Sequence, residues 1–229
     1  MKTDPELGRT VHEALKKKGI ETPVKWYDEE CTMDPGPIEG QIETYHSGIM
    51  ESLRLDLKDD SLSDSPRRVA ELYTQELFVG LDYRNFPKCT TVEAPGTDGY
   101  REMVCRSGID VKSMCEHHFL PIVGRATVAY LPSKRILGLS KFDRLVNFFA
   151  RRPQVQERLT EQIAEAMKII VGTDNVAVIV SAQHFCISHR GVQGSRSDTV
   201  TSRLYGKFME QAALRAEFLA LATQAPPSI

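Results

Sequence analysis

Two short clusters of metal-binding side chains, far apart in the chain, constrain this sequence more than any other feature. The first is Met114-Cys115-Glu116-His117-His118-Phe119, which sets a thiol, a carboxylate and two imidazoles in consecutive positions between apolar neighbours. Cys115 and His118 have the Cys-x-x-His spacing, at which a single turn presents sulfur and nitrogen to one ion. Zinc takes such ligands at roughly 2.0 to 2.3 Å, usually tetrahedrally, so a pair is too few. The only other concentration of this chemistry is Gln183-His184-Phe185-Cys186. The reading is therefore a zinc site of Cys115, His118 and Cys186, which any fold of the chain must bring together. Three protein ligands leave a position for water, the catalytic rather than the structural pattern. His117 and His184 are then available for proton transfer, although the spacing equally allows His117 as a third or fourth ligand. Against all this stands the plainer role of cysteine as a small buried hydrophobe.

The chain has 229 residues, enough for a sizeable core in one or two domains. Hydrophobic content of 41% and charged content of 26% are those of a globular protein. A net charge of −2 gives no global basic field for nucleic acid, so any polyanion must be met by a local cluster. Five cysteines, an odd number in a chain too long to need stapling, fit a reducing compartment. Cys31, Cys89 and Cys105 have no histidine company and read as free or buried thiols. Met1 to Arg9 is polar and no run approaches the roughly 18 apolar residues of a membrane span, so the expectation is cytoplasmic, with no membrane partner.

Along the chain, Thr3-Asp4-Pro5 reads as a helix start, and Leu7, Val11, Ala14 and Leu15 give that helix one thin apolar stripe closed by Gly19. Such a helix needs a partner, for which another subunit is a candidate. Residues 21–37 read as loop. A second helix is expected from Ile38 to Leu57, with Ile38, Ile42, Tyr45, Ile49 and Leu53 inward. A third opens at Ser65-Pro66, turns Val69, Leu72, Tyr73 and Leu77 inward, and stops at Gly80. Pro87 to Tyr100 reads as loop. Met103–Met114, Ile122–Leu131 and Val176–Ala182 then read as strands. Between the last two lie helices over Lys141–Arg151 and Gln154–Val171, and a final helix is expected over Lys207–Ala222. The fold class is α+β: a helical N-terminal section (1–100), an antiparallel-sheet catalytic domain (101–222) and a disordered tail (223–229). Exposed sheet edges in such a unit invite ring assembly.

Two further constellations carry chemistry. Ser140 reads as the N-cap of a helix whose first turn holds Lys141 and Arg144 on one face. Free N–H groups, the positive end of the dipole and two cations make a phosphate site, to which Arg190 could bring a third cation. The plain reading is a solvated face with two surface cations. In Arg151-Arg152-Pro153-Gln154-Val155-Gln156-Glu157-Arg158, Gln156 and Glu157 fall in the first turn of the next helix. There Glu157 either complements the dipole or accepts two N–H bonds from a flat heterocycle such as a guanine edge.

Together these blocks resemble GTP cyclohydrolase I in its zinc-dependent form. Beside the residues above, the resemblance takes in Glu21-Thr22-Pro23, Asp59-Asp60-Ser61-Leu62, Gly80-Leu81-Asp82-Tyr83, Gly138-Leu139-Ser140-Lys141 and Arg190-Gly191, in the family's order and spacing. It implies Zn2+ on Cys115, His118 and Cys186, with His117 and His184 as catalytic imidazoles. Gln156, counted with the catalytic group, and Glu157 would meet the guanine edge. Ser140, Lys141, Arg144 and Arg190 would meet the ribose and triphosphate, helped by Arg68 from a neighbouring subunit. It further implies the T-fold, an antiparallel sheet with two helices packed on one face. The assembly expected is a homo-oligomer, a decamer of two pentamers with active sites between subunits. GTP is the small-molecule substrate and no nucleic acid is engaged. Hydroxide would attack C8, formate would leave, and the ribose would rearrange to give 7,8-dihydroneopterin triphosphate. Glu71 stands where some members carry a lysine, which weakens any phosphate role for the third helix. Two rivals remain: a sister T-fold nitrile reductase with a nucleophilic cysteine and no zinc, and a non-enzymatic zinc-stabilised interaction protein.

Overall fold

The protein's structure, a computed structural model, describes residues 2–24, 35–94, 100–190 and 198–223. Helix α1 (Pro5–Lys17) starts where the sequence places it, with the Asp4 carboxylate accepting from the Leu7 N–H at 3.1 Å. Val11 and Leu15 are fully buried, each burial stabilising by about 1.5–3 kcal/mol. Their partner is not another subunit: they join the same core as Tyr83, Phe86 and Leu159 of this chain.

The next helices depart from expectation. Helix α2 (Pro35–Ser52) ends before Leu57, and the later part of its apolar stripe faces outward, with Tyr45 70%, Ile49 56% and Leu53 68% exposed. Ile38 and Ile42 at the start of the stripe are half-buried against Tyr73 and Phe78, but among the described residues nothing covers Tyr45, Ile49 and Leu53. Helix α3 (Ser65–Glu71) runs on as a π-helical turn, Leu72–Leu77, then two 3-10 turns, Val79–Leu81 and Tyr83–Asn85. The segment expected to be loop holds a short strand, β1 (Thr91–Glu93), paired antiparallel with β4 (Arg135–Leu137).

The main sheet contains β2 (Val104–Cys115), β3 (Pro121–Tyr130), β5 (Pro153–Gln154), β6 (Val176–His184) and β7 (Thr199–Leu204), in the order β5-β2-β3-β6-β7. Every pairing is antiparallel except that of β5 with β2. A bulge between Arg106 and Ile109 uses Gly108 at φ 69° to re-aim β2. Helices α4 (Ser140–Ala150) and α5 (Gln156–Val171) lie on one face, burying Phe142, Leu145, Phe149, Leu159, Ile163 and Met167 against Val111, Ile122, Val128, Val178 and Val180. This is the α+β arrangement expected: a helical section, then an antiparallel sheet carrying two helices on one face.

The opposite face is covered in part by the C-terminal segment, where Phe208 and Phe218 pack on Ala129 and Ala177. The single helix expected there is broken at Gln211 into α7 (Lys207–Glu210) and α8 (Ala212–Thr223), after a one-turn α6 (Phe185–Ser188) earlier in the chain. On a continuous helix Phe208 and Phe218 would point about 80° apart; the extended Gln211 lets both reach the same patch.

A buried ionic knot joins the N-terminal section to this core. Arg152 is fully buried between the rings of Phe148 and Phe149, each centroid 4.9 Å away. Its guanidinium donates to Glu21 at 3.1 Å and to the carbonyl of Gly80, and Glu21 pairs with His12 at 2.9 Å. Gly80 is required here: a Cβ would lie 2.0 Å from the Phe148 carbonyl oxygen. The knot anchors residues 21–24 beside the site described next.

Candidate active site

The metal-binding clusters meet because β3 lies between β2 and β6. The first residues of β3 pair with the last residues of both neighbours, Pro121 with Met114 and Ile122 with His184. Strands two positions apart in a sheet are about 9.6 Å apart, so turns at their ends can close over the strand between. On one side the chain turns back at once: the His118 and Phe119 N–H groups both donate to the Cys115 carbonyl, and Phe119 takes a left-handed φ of 50°. On the other, α6 carries Cys186 inward. The Sγ of Cys115, a ring nitrogen of His118 and the Sγ of Cys186 then lie within 4.8 Å of one another. Tetrahedral zinc ligands sit roughly 3.5 Å apart, so two sulfurs and one imidazole at this spacing fit such an ion with small side-chain adjustment.

His117 is outside that group. Its Nδ1 lies 3.8 Å from Cys115 Sγ, its side chain is 63% exposed, and it opens on a cavity of about 310 Å³ lined by Thr22, Val24, Leu81, Glu116 and Pro153. Of the two imidazoles in the motif, the geometry thus joins His118 to the sulfurs and leaves His117 beside them. Burial pushes the Cys186 thiol up, and its hydrogen bond and charge interaction with Cys115 add to the rise. Two thiols packed this closely disfavour two thiolates unless a cation lies between them.

His184 is half-buried and held by Gln156, whose Oε1 is 2.7 Å from His184 Nε2. The amide of Gln156 can point only one way. Its nitrogen sits 3.0 Å from the Val180 carbonyl and 2.8 Å from the Thr199 carbonyl, both of which can only accept. Its oxygen must therefore face His184 and accept from Nε2–H, which leaves Nδ1 as the nitrogen with the lone pair. Gln156, expected at the guanine edge, is 1% exposed and its amide oxygen meets His184. Glu157, the next residue, is exposed. Burial lowers the His184 pKa, and the charge of Glu157 opposes that shift.

The cations separate into two places. Arg190 is exposed, near enough to Cys186 for its charge to act on the thiol. Ser140, Lys141 and Arg144 are at the other end of the sheet. There Arg106 of β2 meets Asp143 of α4 at 3.2 Å, and the Leu137 N–H donates to the hydroxyl of Tyr130, the last residue of β3. From Arg106 to Cys115 the strand runs roughly 30 Å. Ser140 is also not a cap: α4 begins on it, and no side chain caps that end. Arg68 on α3 pairs with Asp64 at 3.7 Å and makes no contact with the cluster among the described residues.

Two residues at the site had no role in the sequence reading. Glu116 and Arg158 form a bidentate pair at 2.7 and 3.1 Å between the metal-binding turn and the start of α5. The only sequence signal was their membership of the two motif blocks. Of the other thiols, burial pushes Cys89 and Cys105 each to about 11, as expected of inert buried cysteines, and Cys31 lies outside the described residues. Among the described residues no helix is long and apolar enough to cross a membrane.

The family described as GTP cyclohydrolase I matches residues 42–223. GTP cyclohydrolase 1 of Tolumonas auensis is 49% identical over 93% of this chain and 95% of its own length. The enzyme of the same name from Yersinia enterocolitica is 47% identical over 91% and 92%, and that of Haemophilus ducreyi 48% over 92% and 94%. Among solved structures, the apo form of an archaeosine synthase, QueF-Like, aligns with 47% of this chain at 17% identity and a TM-score of 0.37, too slight a likeness to argue from.

Proposed function

This chain belongs to the GTP cyclohydrolase I family, and from that premise we propose that it converts GTP and water to formate and 7,8-dihydroneopterin triphosphate with zinc on Cys115, His118 and Cys186. The observation that carries the proposal is the convergence of those three donors beside an oriented histidine. When bound there, zinc supplies Lewis acidity and a source of hydroxide at neutral pH. C8 of guanine is a weak electrophile and needs both.

The chain's own residues do the rest. His184 holds a proton at Nε2 against Gln156, so it takes up and releases protons through Nδ1. Burial lowers its pKa, so a proton taken up at Nδ1 from the attacking water is weakly held and passes on to the ring nitrogen, which must be protonated for the imidazole ring to open. His117, exposed beside the sulfurs, serves the later proton transfers near the ribose. Glu157 accepts the ring N–H and exocyclic amine of the guanine edge; its exposure leaves it open to do so.

Lys141, Arg144 and Ser140, with Arg190 and Arg68, take the ribose and triphosphate. In one chain they are too far apart to share a ligand, so we infer that each site is completed by neighbouring copies. Two features support such an assembly. Strand β7 pairs only with β6, and β5 covers β2 only at Met114 and Cys115, so both sheet edges are open among the described residues. The outward stripe of α2 supplies a second contact surface. A decamer of two pentamers in the cytoplasm is the assembly we propose.

The test is incubation with GTP, with and without chelator, following formate and, after oxidation, a fluorescent pterin. Formate that persists undiminished after complete metal removal rules out the zinc mechanism; no formate under any condition rules out the reaction.

A further inference from the structure

We propose that Glu116 and Arg158 are a positioning pair that ties the metal-binding turn to the substrate-reading turn of α5. The inference rests on Cys115, His118 and Cys186 being the metal ligands. Glu116 stands between the ligand Cys115 and the imidazole of His117, and it is fixed at two points. Its backbone N–H donates to the Gln154 carbonyl at 3.0 Å, and its carboxylate takes both arms of the Arg158 fork. Those two anchors bracket Val155, Gln156 and Glu157, so one residue of the metal turn spans the stretch that orients His184 and presents the free carboxylate. A shift of Glu116 therefore moves both halves of the site together.

The setting is unlike that of an ordinary surface ion pair. The two side chains are only 22% and 17% exposed, so the fork is poorly screened and geometrically restrained. Arg158 is in the first turn of α5, where the helix dipole disfavours a cation; the Glu116 carboxylate offsets that cost. The carboxylate also reaches His117, with 3.8 Å between Glu116 Oε1 and His117 Nε2. Once clamped by Arg158 it limits where that ring can swing. A lysine at 158 would keep the charge and lose the paired contact.

Two conservative variants, Arg158→Lys and Glu116→Gln, test this by zinc affinity in chelator competition, KM for GTP, kcat and melting temperature. The expected result is a loss of about 10–100-fold in zinc affinity, with KM for GTP raised as well. The losses in the double variant are expected to fall short of the product of the single losses, because both remove the same tie. Zinc affinity and KM within about twofold of wild type, with only the melting temperature lowered, would reduce the pair to a stabilising contact and overturn the proposal. If Glu116→Gln does not fold, Arg158→Lys decides alone by the same readouts. Competition is read without turnover: a wild-type chain that releases no formate refutes the activity, while a drop in variant affinity still supports the pair.

Discussion

At the start of α5 the Gln156 amide is held from both ends, its nitrogen by the Val180 and Thr199 carbonyls and its oxygen by His184. In the first turn of a helix beside Glu157, it read as half of a clamp for a planar base. In the fold its amide is spent on two backbone carbonyls and one imidazole. Gln156→Met should therefore lower kcat at least about tenfold, roughly 1.4 kcal/mol of transition-state stabilisation, and leave KM for GTP within about twofold. A rise in KM with kcat intact would return Gln156 to the guanine edge. Cys186 is the complementary case, legible from its residue type and needing only a partner. Cys186→Ser should lose zinc by more than the roughly 100-fold typical of an outer-sphere change, along with activity. Far-ultraviolet circular dichroism should stay native, since the Cys186 side chain is only partly buried; metal content equal to wild type after dialysis would remove it from the ligand set.

At the scale of elements, the knot of Arg152, Glu21, His12 and Tyr83 holds the N-terminal section on the end of α4. Burial pushes the Glu21 carboxyl up, but the hydrogen bond to His12, the charge of Arg152 and bonds from Tyr83 and the Thr22 N–H outweigh it and hold the group below its usual 4.5. A carboxylate lowered on folding stabilises the fold fully above its unfolded pKa, and that stabilisation is lost as pH falls through the lowered folded value. Glu21→Gln, which leaves Arg152 buried without its counter-charge, should cost roughly 3–5 kcal/mol at pH 7. The gap to wild type should narrow as pH drops below 4.5. Urea unfolding across that range measures it, and a gap independent of pH would show that Glu21 is not the titrating partner. No local pattern marks this knot, because Glu21, Tyr83 and Arg152 are brought together only by packing. Periodicity did place β2, β3, β6, α4 and α5, whose apolar faces pack within this one chain. It put the α2 stripe inward because spacing reports that a face is apolar, not which molecule covers it.

For the whole molecule, the separation of Lys141 from Cys186 makes a direct prediction. Variants Lys141→Ala and Cys186→Ser, each inactive alone, should recover about a quarter of wild-type activity when unfolded together and reassembled in equal amounts. That is the chance that an intact metal end meets an intact cationic end in a mixed ring. Recovery no greater than the sum of the separate variants would place a complete site within one chain. Residue types and local periodicity were enough to give the family, the long strands and the two helices packed on them, and to nominate the ligand and acid–base side chains. Only packing brings Cys115 and Cys186 to one end of β3, turns Gln156 onto His184, and sets Lys141 and Arg144 a strand's length away. Register and strand order set those distances, and both come from the packing of residues far apart in the chain, which no local pattern encodes.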